Sequence, residues 1–305
     1  MKIFIIGGTG HVGSYMVPKL VAEGHEVYLG TRGNTKVRSY SSTEGVRFVT
    51  VDSTSRESLA ELLPYNFDVV IDMPGSAYNA WCVFSDSVKH IIACGSVWMY
   101  GNPAVVPTPE VGQSECPFLG YARRYESIKK MCAESGKDGK ALFTAIMPPN
   151  ICGPGKAPLE CMGGRSLEVH KAHRAGKPVI LPDGPECIIS PCHAEDIADL
   201  FILALNNPEA AAGEIFNAGA EYGLTSSGLV KAFSDIYGVE IPIERVSWEK
   251  YTTEINPEIG AWWHFYAHML PDITKAKEKL GYKPKYTPEE ALRTAVQWMI
   301  DEGMI

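Results

Sequence analysis

Residues 2–13, Lys2-Ile3-Phe4-Ile5-Ile6-Gly7-Gly8-Thr9-Gly10-His11-Val12-Gly13, decide the fold of this chain. A run of apolar, strand-forming residues leads directly into glycines, and apolar residues with helical spacing follow over residues 15–23. Gly7 permits a tight turn, Gly10 lets the backbone approach a pyrophosphate, and Gly13 allows close helix packing. Because N–H groups at the start of a helix attract phosphates, the loop predicts a dinucleotide site. The other cofactor-binding candidates in the loop are Thr9, His11 and Val12.

Strands and helices alternate beyond this loop. Further strands are expected at residues 26–29, 46–51, 68–72, 90–94 and 143–147, with a helix at 55–63. This alternation predicts an α/β fold, a Rossmann doubly wound parallel sheet with a smaller mixed α/β substrate region. Pro and Gly become frequent over residues 148–158. We therefore expect a dinucleotide-binding domain at 1–150, to which 186–220 returns, and a substrate-binding region at 151–185 and 221–305.

The composition of the chain limits which classes of partner and which cellular location are expected. The 305 residues carry a net charge of −8, so a broad basic surface for nucleic acid or anionic membranes is not expected. The opening apolar run is shorter than a signal peptide core, and no stretch approaches the ~20 apolar residues of a membrane-spanning helix. The eight cysteines form no CxxC pair, which favours reduced thiols. A cytoplasmic protein with a small-molecule substrate is expected.

The segment after the second expected strand bears on the choice of cofactor. It reads Gly30-Thr31-Arg32-Gly33, without the carboxylate that would hold the ribose hydroxyls of NAD. Arg32 can form charge-assisted bonds to a 2′-phosphate, with Lys36 or Arg38 as further cations, so NADP is predicted ahead of NAD. A solvated loop arginine is the competing interpretation.

Asp52 and Ser53 follow the next strand. The carboxylate of Asp52 can accept a hydrogen bond from an adenine amino group, while the backbone N–H of Ser53 can donate one. Asp52 is equally suited to capping the following helix, with Ser53 or Ser55 sharing that role. In both interpretations, Asp52 and Ser53 lie at the carboxyl end of a strand.

Several later segments, taken in order, resemble one family. Gly95-Ser96-Val97-Trp98-Met99-Tyr100-Gly101 resembles a Ser-Ser-x-x-Val-Tyr-Gly strand end. It is followed by the segments 148–154, 193–196, 213–219 and 271–284. With the glycine loop and Asp52, they make the chain similar, nearly end to end, to the extended short-chain dehydrogenase/reductase family of nucleotide-sugar epimerases, dehydratases and reductases. The resemblance implies an NAD(P)-dependent epimerase/dehydratase-like enzyme and is compatible with a homodimer.

The resemblance also implies a catalytic set. In this family a Ser and a Tyr hold the reacting oxygen, and a Lys one helical turn after the Tyr helps the phenol to exchange a proton. Ser96, four residues before Tyr100, matches the family serine. A serine that satisfies backbone groups at a strand end is the alternative.

The tyrosine can be assigned in two registers, because the segment reads Gly120-Tyr121-Ala122-Arg123-Arg124-Tyr125-Glu126-Ser127-Ile128-Lys129. With Tyr121 in the family position, residues 128, 131 and 132 become buried and Tyr125 replaces the lysine. With Tyr125 in that position, Lys129 restores Tyr-x-x-x-Lys, but 132, 135 and 136 then form a poor packing face. We expect Tyr121 in the family position, on one helical stripe with Tyr125 and Lys129. An aromatic face that only packs into the core is the competing interpretation.

Substrate candidates lie further along the chain. The segment 184–192 lacks the arginine with which nucleotide-sugar members commonly grip a diphosphate, which argues against such a substrate. Aromatic residues over 262–269 predict an apolar or ring-binding wall, and plain packing in the core is the competing interpretation. No histidine pair has an acidic third ligand at the spacing of a zinc site, so no metal is expected. The candidate substrate residues are Asn150, His193 and Trp263.

Two functions follow from these features. The first is an NAD(P)-dependent oxidoreductase or epimerase that transfers hydride at a carbinol or carbonyl carbon of a small sugar-like or cyclic substrate. The alternative is a redox-silent NAD(P)-binding sensor or scaffold protein, suggested by Tyr125 at the lysine position and by the missing arginine. Both predict cofactor binding, so only turnover separates them.

Overall fold

The computed structural model describes residues 1–33 and 44–305. The strands in these residues are β1 Lys2–Ile6, β2 Glu26–Thr31, β3 Val46–Thr50, β4 Val69–Asp72, β5 His90–Cys94, β6 Leu142–Met147, β7 Asn150–Cys152, β8 Val179–Pro182, β9 Ile188–Ile189, β10 Pro191–His193, β11 Ile215–Asn217, β12 Leu224–Thr225 and β13 Ile243–Val246. The α-helices are α1 Gly13–Ala22, α2 Arg56–Ala60, α3 Ala77–Phe84, α4 Leu119–Glu134, α5 Leu167–Arg174, α6 Ala194–Asn206, α7 Pro208–Ala211, α8 Ser226–Tyr237, α9 Trp248–Lys250, α10 Ile259–Trp262, α11 Thr274–Leu280 and α12 Pro288–Asp301. Shorter 3₁₀ turns lie at Leu63–Tyr65, Val97–Tyr100, Lys137–Gly139 and Trp263–Phe265, and a π-helix lies at Tyr251–Ile255.

Seven of the described strands form one parallel sheet in the order β11-β6-β5-β4-β1-β2-β3. In its middle, Ile5 of β1 lies opposite Leu29 of β2 and Ile71 of β4. The chain runs outward from β1 to β3 and then returns to β4 on the other side. Ligands of such sheets bind outside the carboxyl ends of the strands at this reversal. The predicted Rossmann doubly wound sheet is confirmed.

Both faces of the sheet are covered, which explains the unbroken apolar run of β1. Ile3 and Ile5 pack on one face with residues of α1, α6 and α11, whereas Phe4 and Ile6 pack on the other with residues of α3 and α4. Alternate side chains of a strand point to opposite faces, so a strand covered on both sides is apolar throughout. Because helices cover both faces, the ligand-binding position that remains is the edge formed by the carboxyl ends of the strands.

Some boundaries differ from the sequence prediction. The helix expected at 55–63 ends at Ala60, and a separate 3₁₀ turn begins at Leu63, because Pro64 has no N–H to donate to the carbonyl oxygen of Ala60. β11 pairs with β6, so residues 215–217 complete the large sheet. Leu280 of α11 packs in the same core as Ile3.

The smaller region surrounds its own core. β13 pairs in parallel with β8, and Leu181 and Phe233 pack there with residues of α12. In the described part of the chain, no helix is both long enough and apolar enough to span a membrane.

The buried His90 predicts a loss of stability in mild acid. Its ring nitrogen Nε2 lies 2.8 Å from Thr144 Oγ1, and burial lowers the pKa of His90 to about 4. Because this pKa lies below the unfolded value of about 6.5, stability is present above pH 6.5 and is lost as the pH falls towards 4. From pH 7 to pH 5, this histidine should lower the free energy of unfolding by about 2 kcal/mol.

Urea unfolding of the wild-type protein and of His90→Gln at both pH values isolates this contribution. The variant has no imidazole to protonate at position 90, so its free energy of unfolding should fall less between pH 7 and pH 5. An equal fall in the two proteins would show that His90 is not kept neutral by the fold.

Candidate active site

The glycine loop forms the strand-to-helix turn at the middle of the sheet edge. Gly7 has a φ of 75°, and the N–H of Gly10 donates to the carbonyl oxygen of Gly7 at 3.0 Å. α1 begins at Gly13, and the residue before it, Val12, offers no side-chain acceptor to the first N–H groups of the helix. The first turn of α1 contains no acidic residue. This helix start therefore presents N–H groups and a positive dipole end without a side-chain cap.

The glycines also shape the loop as a cradle. A Cβ at Gly13 would lie 2.1 Å from the carbonyl oxygen of Gly8, so α1 packs directly on the loop backbone. Among the described residues, a Cβ at Gly10 would meet only the oxygen of Gly7 within 4 Å, at 3.1 Å, which leaves the outer side of Gly10 open to them. Thr9 and His11 are buried, and His11 Nε2 lies 2.9 Å from the carbonyl oxygen of Pro154. The close packing of α1 on the loop at Gly13 and the open backbone at Gly10 together suit the binding of a dinucleotide pyrophosphate.

Arg32 and Asp52 lie at the carboxyl ends of β2 and β3. The carboxylate of Asp52 accepts hydrogen bonds from Thr54, from the backbone N–H at 2.9 Å and from Oγ1 at 2.7 Å. These bonds lower the pKa of Asp52, and the charge of Arg32 lowers it further. Arg32 itself is exposed. Arg32 and Asp52 therefore place one positive and one negative charge on the β2–β3 side of the glycine loop.

The cap of α2 is Ser55, whose Oγ accepts from the N–H of Ser58 at 3.1 Å. Of the residues weighed for capping, Asp52 is instead engaged with Thr54, and the carbonyl oxygen of Ser53 accepts from the Asn79 amide at 3.2 Å. Lys36 and Arg38, the additional cations considered for a 2′-phosphate, lie outside the described residues.

Ser96 follows the end of β5. Its Oγ accepts from the N–H of Trp98 at 3.3 Å and so caps the short 3₁₀ turn that carries Tyr100. Tyr100 is fully buried and donates to the side-chain oxygen of Asn217 at 2.9 Å. The Ser96 side chain is half-buried at the sheet edge.

The two tyrosines of α4 lie in different surroundings. Tyr125 is buried against the ring of Tyr100, and its hydroxyl oxygen accepts from the N–H of Gly112 at 2.9 Å. Burial raises the pKa of Tyr125. Lys129 lies beside it at the surface, with Nζ 2.7 Å from a carboxylate oxygen of Glu126 and 5.0 Å from the Tyr125 ring. Tyr125 and Lys129 thus border the 112–116 segment, in a cleft of about 460 Å³.

Tyr121 instead faces the residues that follow Ser96. Its half-buried ring lies 6.0 Å from that of Trp98 and 6.1 Å from that of Phe118, measured between centroids. The structure therefore places Tyr121 beside the turn that begins at Ser96, whereas Tyr125 and Lys129 border the 112–116 segment.

Arg124 is a charged residue of this edge that the sequence analysis did not identify. Its Nη2 donates to the carbonyl oxygen of Cys94, the last residue of β5, at 3.3 Å. Its guanidinium carbon lies 5.5 Å from the centre of the Tyr121 ring. The three-residue spacing from Tyr121 was the available signal, because residues i and i+3 are neighbours on a helix.

Aromatic side chains form the next part of the site. Trp263 packs edge-on against Phe118 with a centroid distance of 5.7 Å, and His264 packs against Trp98 at 5.0 Å. Asn150 Nδ2 lies 3.4 Å from His264 Nδ1. Burial, followed by the charge of Arg165, lowers the pKa of His264 to about 3, so this imidazole is neutral at ordinary pH.

Two buried polar atoms of this cluster have no hydrogen-bond partner within the described residues. They are Asn150 Oδ1, an acceptor, and Trp263 Nε1, a donor. Buried polar groups are usually paired, so a bound molecule that offers a donor and an acceptor would suit them.

His193, the third substrate candidate, lies elsewhere. Its Nδ1 accepts from the N–H of Glu195 at 3.0 Å and so caps α6, and its ring stacks on Tyr286 at 3.9 Å. It also contacts Tyr15 of α1, and burial lowers the pKa of His193 to about 4. These contacts place His193 between Tyr15 of α1 and Tyr286 rather than in the aromatic cluster.

Comparison with known proteins agrees with this architecture. A model of the NAD dependent epimerase/dehydratase family matches residues 3–86 and 79–219. The chain is 27% identical to the chloroplast stem-loop binding protein of 41 kDa b of Arabidopsis thaliana, over 95% of this chain and 77% of the relative. It is 23% identical to the UDP-glucose 4-epimerase of Lactobacillus helveticus, over 98% of this chain and 97% of that enzyme.

Solved structures share the fold. One is the Bordetella bronchiseptica enzyme WbmG in complex with NAD and UDP, which superposes with a TM-score of 0.73 at 17% identity. The match covers 99% of this chain and 94% of the other. At this identity the likeness concerns the fold alone.

Proposed function

The chain belongs to the NAD dependent epimerase/dehydratase family, and on that premise we propose that Tyr121 and Ser96 act on a carbinol or carbonyl group of a small sugar-like or cyclic substrate. Membership confirms the predicted resemblance to the extended short-chain dehydrogenase/reductase family and the prediction of an NAD(P)-dependent oxidoreductase or epimerase. The observation that carries the site assignment is the position of Tyr121 beside the turn that begins at Ser96.

The dinucleotide is proposed to lie across the sheet edge. The N–H groups at the start of α1 hold the pyrophosphate, Gly10 allows its close approach, and Asp52 with the N–H of Ser53 receives the adenine. The other half then extends over β4 and β5, towards Ser96. When bound, the nicotinamide supplies the hydride acceptor or donor of the reaction.

Ser96 and Tyr121 handle the substrate oxygen and its proton. The Ser96 hydroxyl donates a hydrogen bond to that oxygen and orients it. As a carbinol is oxidised to a carbonyl, its hydroxyl proton passes to the deprotonated phenolate oxygen of Tyr121, and the phenol formed in this way gives the proton back when the carbonyl is reduced. Burial of residues 128 and 131 on α4 supports Tyr121 as the acting phenol, because this packing is expected when Tyr121 takes the family position.

The aromatic cluster is proposed to hold the rest of the substrate. Trp98 and Trp263 offer faces for a ring, while Asn150 Oδ1 and Trp263 Nε1 offer an acceptor and a donor to hydroxyl groups. The relatives named UDP-glucose 4-epimerase suggest a sugar, whereas the segment 184–192 lacks an arginine for a diphosphate. A sugar-like or cyclic alcohol without a diphosphate fits both observations.

Turnover tests the proposal. Purified protein is incubated with NADP(H) or NAD(H) and a panel of sugars, nucleotide sugars, cyclic ketones and phenolic compounds. Absorbance of the reduced nicotinamide reports net redox change, and product analysis detects epimerisation, which leaves that absorbance unchanged. Conversion of a cyclic or sugar-like member supports the proposal. Cofactor binding without conversion of any member would favour the redox-silent alternative.

NADP is the proposed cofactor, with NAD second, and Arg32 is the residue proposed to hold the 2′-phosphate. Arg32→Ala is expected to weaken NADP binding by about ten- to a hundredfold, because a hydrogen bond to a charged group contributes about 1.5–3 kcal/mol. NAD has no 2′-phosphate, so its affinity should stay close to that of the wild type. Isothermal titration calorimetry with both nucleotides measures the difference.

Arg47→Ala is the matched control for this prediction, because Arg47 lies near the amino end of β3 and pairs with Glu26 at 3.0 Å. This variant should bind both nucleotides like the wild type. Unchanged NADP affinity in Arg32→Ala would contradict the cofactor preference.

Location and assembly belong to the same proposal. We propose a cytoplasmic protein whose partner is a small-molecule substrate and which forms a homodimer, as the family resemblance suggests. Analytical ultracentrifugation of the purified protein tests the dimer, and a single species of monomer mass would contradict it.

A further inference from the structure

Arg124 lies where α4 approaches the carboxyl ends of β4 and β5. Its Nη2 donates to the carbonyl oxygen of Cys94 at 3.3 Å, and Cys94 ends β5. This is the one hydrogen bond that the Arg124 side chain makes within the described residues, and it leaves further guanidinium N–H groups to donate elsewhere, because arginine carries five donors in a planar fork. A cation is thereby held at the strand ends on the side of β1 opposite to Arg32 and Asp52.

The loop after β4 is shaped around this guanidinium. Gly75 has a φ of 92°, and a Cβ at this position would lie 2.0 Å from Arg124 Nη2. With Arg124 in this position, a side chain at residue 75 would overlap its guanidinium, so the guanidinium lies directly against the loop. The same loop is tied down by the buried carboxylate of Asp72, which accepts from the N–H groups of Gly75 at 2.9 Å and Ser76 at 3.1 Å.

Asp72 and Arg124 also interact through their charges. Burial raises the pKa of Asp72, whereas hydrogen bonds from Ser76 and Gly75, and then the charge of Arg124, act in the opposite direction. An acidic group beneath the loop therefore helps to keep the guanidinium at this edge.

Arg124 faces Tyr121 and not Tyr125. Its guanidinium carbon lies 5.5 Å from the centre of the Tyr121 ring, within the range of a cation–π contact. The lysine that follows Tyr125 by four residues, Lys129, pairs with Glu126 at the surface. The cation next to the phenol at the sheet edge is thus an arginine three residues after Tyr121.

We propose that Arg124 binds the nicotinamide-ribose half of the dinucleotide and places a positive charge beside Tyr121, a place for which the family pattern predicts a lysine. This inference rests on the proposed function. A dinucleotide crosses such a sheet at the strand-order reversal, so the half that does not lie over β2 and β3 lies over β4 and β5. The unused N–H groups of Arg124 then face ribose hydroxyl groups, which accept hydrogen bonds.

The affinities for NADH and for ADP, measured on the same variants, distinguish a role of Arg124 at the nicotinamide ribose from a general loss of structure. NADH and ADP share the adenosine and the pyrophosphate, but only NADH carries the nicotinamide ribose. Arg124→Ala is expected to weaken NADH binding by about tenfold or more, the value of one or two lost hydrogen bonds. Affinity for ADP should remain within about twofold of the wild type, because its contacts lie on the other side of β1.

Three further proteins sharpen the test. Arg124→Lys keeps the charge and should lose less NADH affinity than Arg124→Ala. Arg124→Gln keeps a donor for the Cys94 carbonyl oxygen, so it replaces Arg124→Ala if that variant does not fold. Arg123→Ala, at the exposed neighbouring position, should bind both nucleotides like the wild type.

The outcomes distinguish the two proposals. If the wild-type protein binds NADH but Arg124→Ala or Arg124→Gln binds it equally well, the role of Arg124 is refuted and the proposed function stands. An equal loss of NADH and ADP affinity would also refute it, since the effect would then not be confined to the nicotinamide half. If the wild-type protein binds no dinucleotide, the proposed function fails first.

Discussion

Gly13→Val should lower dinucleotide affinity by about a hundredfold or more, because added atoms in a closely packed site force backbone shifts. The first of these atoms, Cβ, would lie 2.1 Å from the carbonyl oxygen of Gly8, and backbone cannot move aside as a side chain can. Either α1 moves away from the sheet or the loop opens, and both changes misplace the N–H groups proposed to hold the pyrophosphate. Calorimetric titration with NADH and NADPH measures the affinity, and thermal unfolding measures stability.

Two glycine variants serve as comparisons. Gly10→Ala should lose affinity while keeping wild-type stability, because its Cβ would meet only one oxygen, at 3.1 Å, on an otherwise open side. Gly260→Ala, where a Cβ would meet nothing within 4 Å, should change neither property. Wild-type affinity in Gly13→Val would show that the loop does not hold the cofactor.

Tyr121→Phe should reduce turnover by about a hundred- to ten-thousandfold, the usual contribution of a positioned acid or base. The substitution removes the hydroxyl proposed to exchange a proton with the substrate and keeps the ring that packs on Trp98 and Phe118. Dinucleotide affinity should change little, because the ring and Arg124 remain. The rate is measured with whichever substrate the panel identifies, alongside a calorimetric titration with NADH.

Tyr125→Phe is the matched control, four residues away on the same helix. Its hydroxyl accepts from the N–H of Gly112 in a buried setting, so its loss should cost about 1 kcal/mol of stability and leave turnover near that of the wild type. If Tyr125→Phe abolishes turnover and Tyr121→Phe does not, the assignment of the phenols is reversed and Lys129 becomes the relevant cation.

The sheet could be predicted from local patterns because both its faces are buried. β5 falls on the expected residues 90–94, and β6 begins one residue earlier than expected, since each strand is an apolar run bounded by polar or turn residues. The helix after β3 was less predictable, because Pro64 divides a segment whose apolar spacing reads as continuous. Periodicity therefore located the elements well and some of their ends poorly.

The site was only partly predictable, because it depends on contacts between distant segments. Tyr121, Tyr125 and Lys129 lie four residues apart on α4, but their spacing alone could not show that Tyr121 contacts Trp98 and that Tyr125 contacts Gly112. Arg124 depends on a positive φ at Gly75, which lies 49 positions earlier in the chain and which no local pattern links to α4.

Motif order alone also could not assign the substrate candidates. Asn150 and Trp263 meet in the aromatic cluster through His264, whereas His193 caps α6 and stacks on Tyr286. The difference arises from how β7, β10 and the 263–265 turn are arranged in space.

A crystal structure with NADH or NADPH bound tests the central claim most directly, because it shows which phenol lies beside the nicotinamide. We expect the pyrophosphate against the N–H groups at the start of α1, the Tyr121 hydroxyl beside the nicotinamide ring, and the Arg124 guanidinium at the nicotinamide ribose. A nicotinamide bordered instead by Tyr125 and Lys129, or a dinucleotide that lies away from Gly10 and Gly13, would contradict the account.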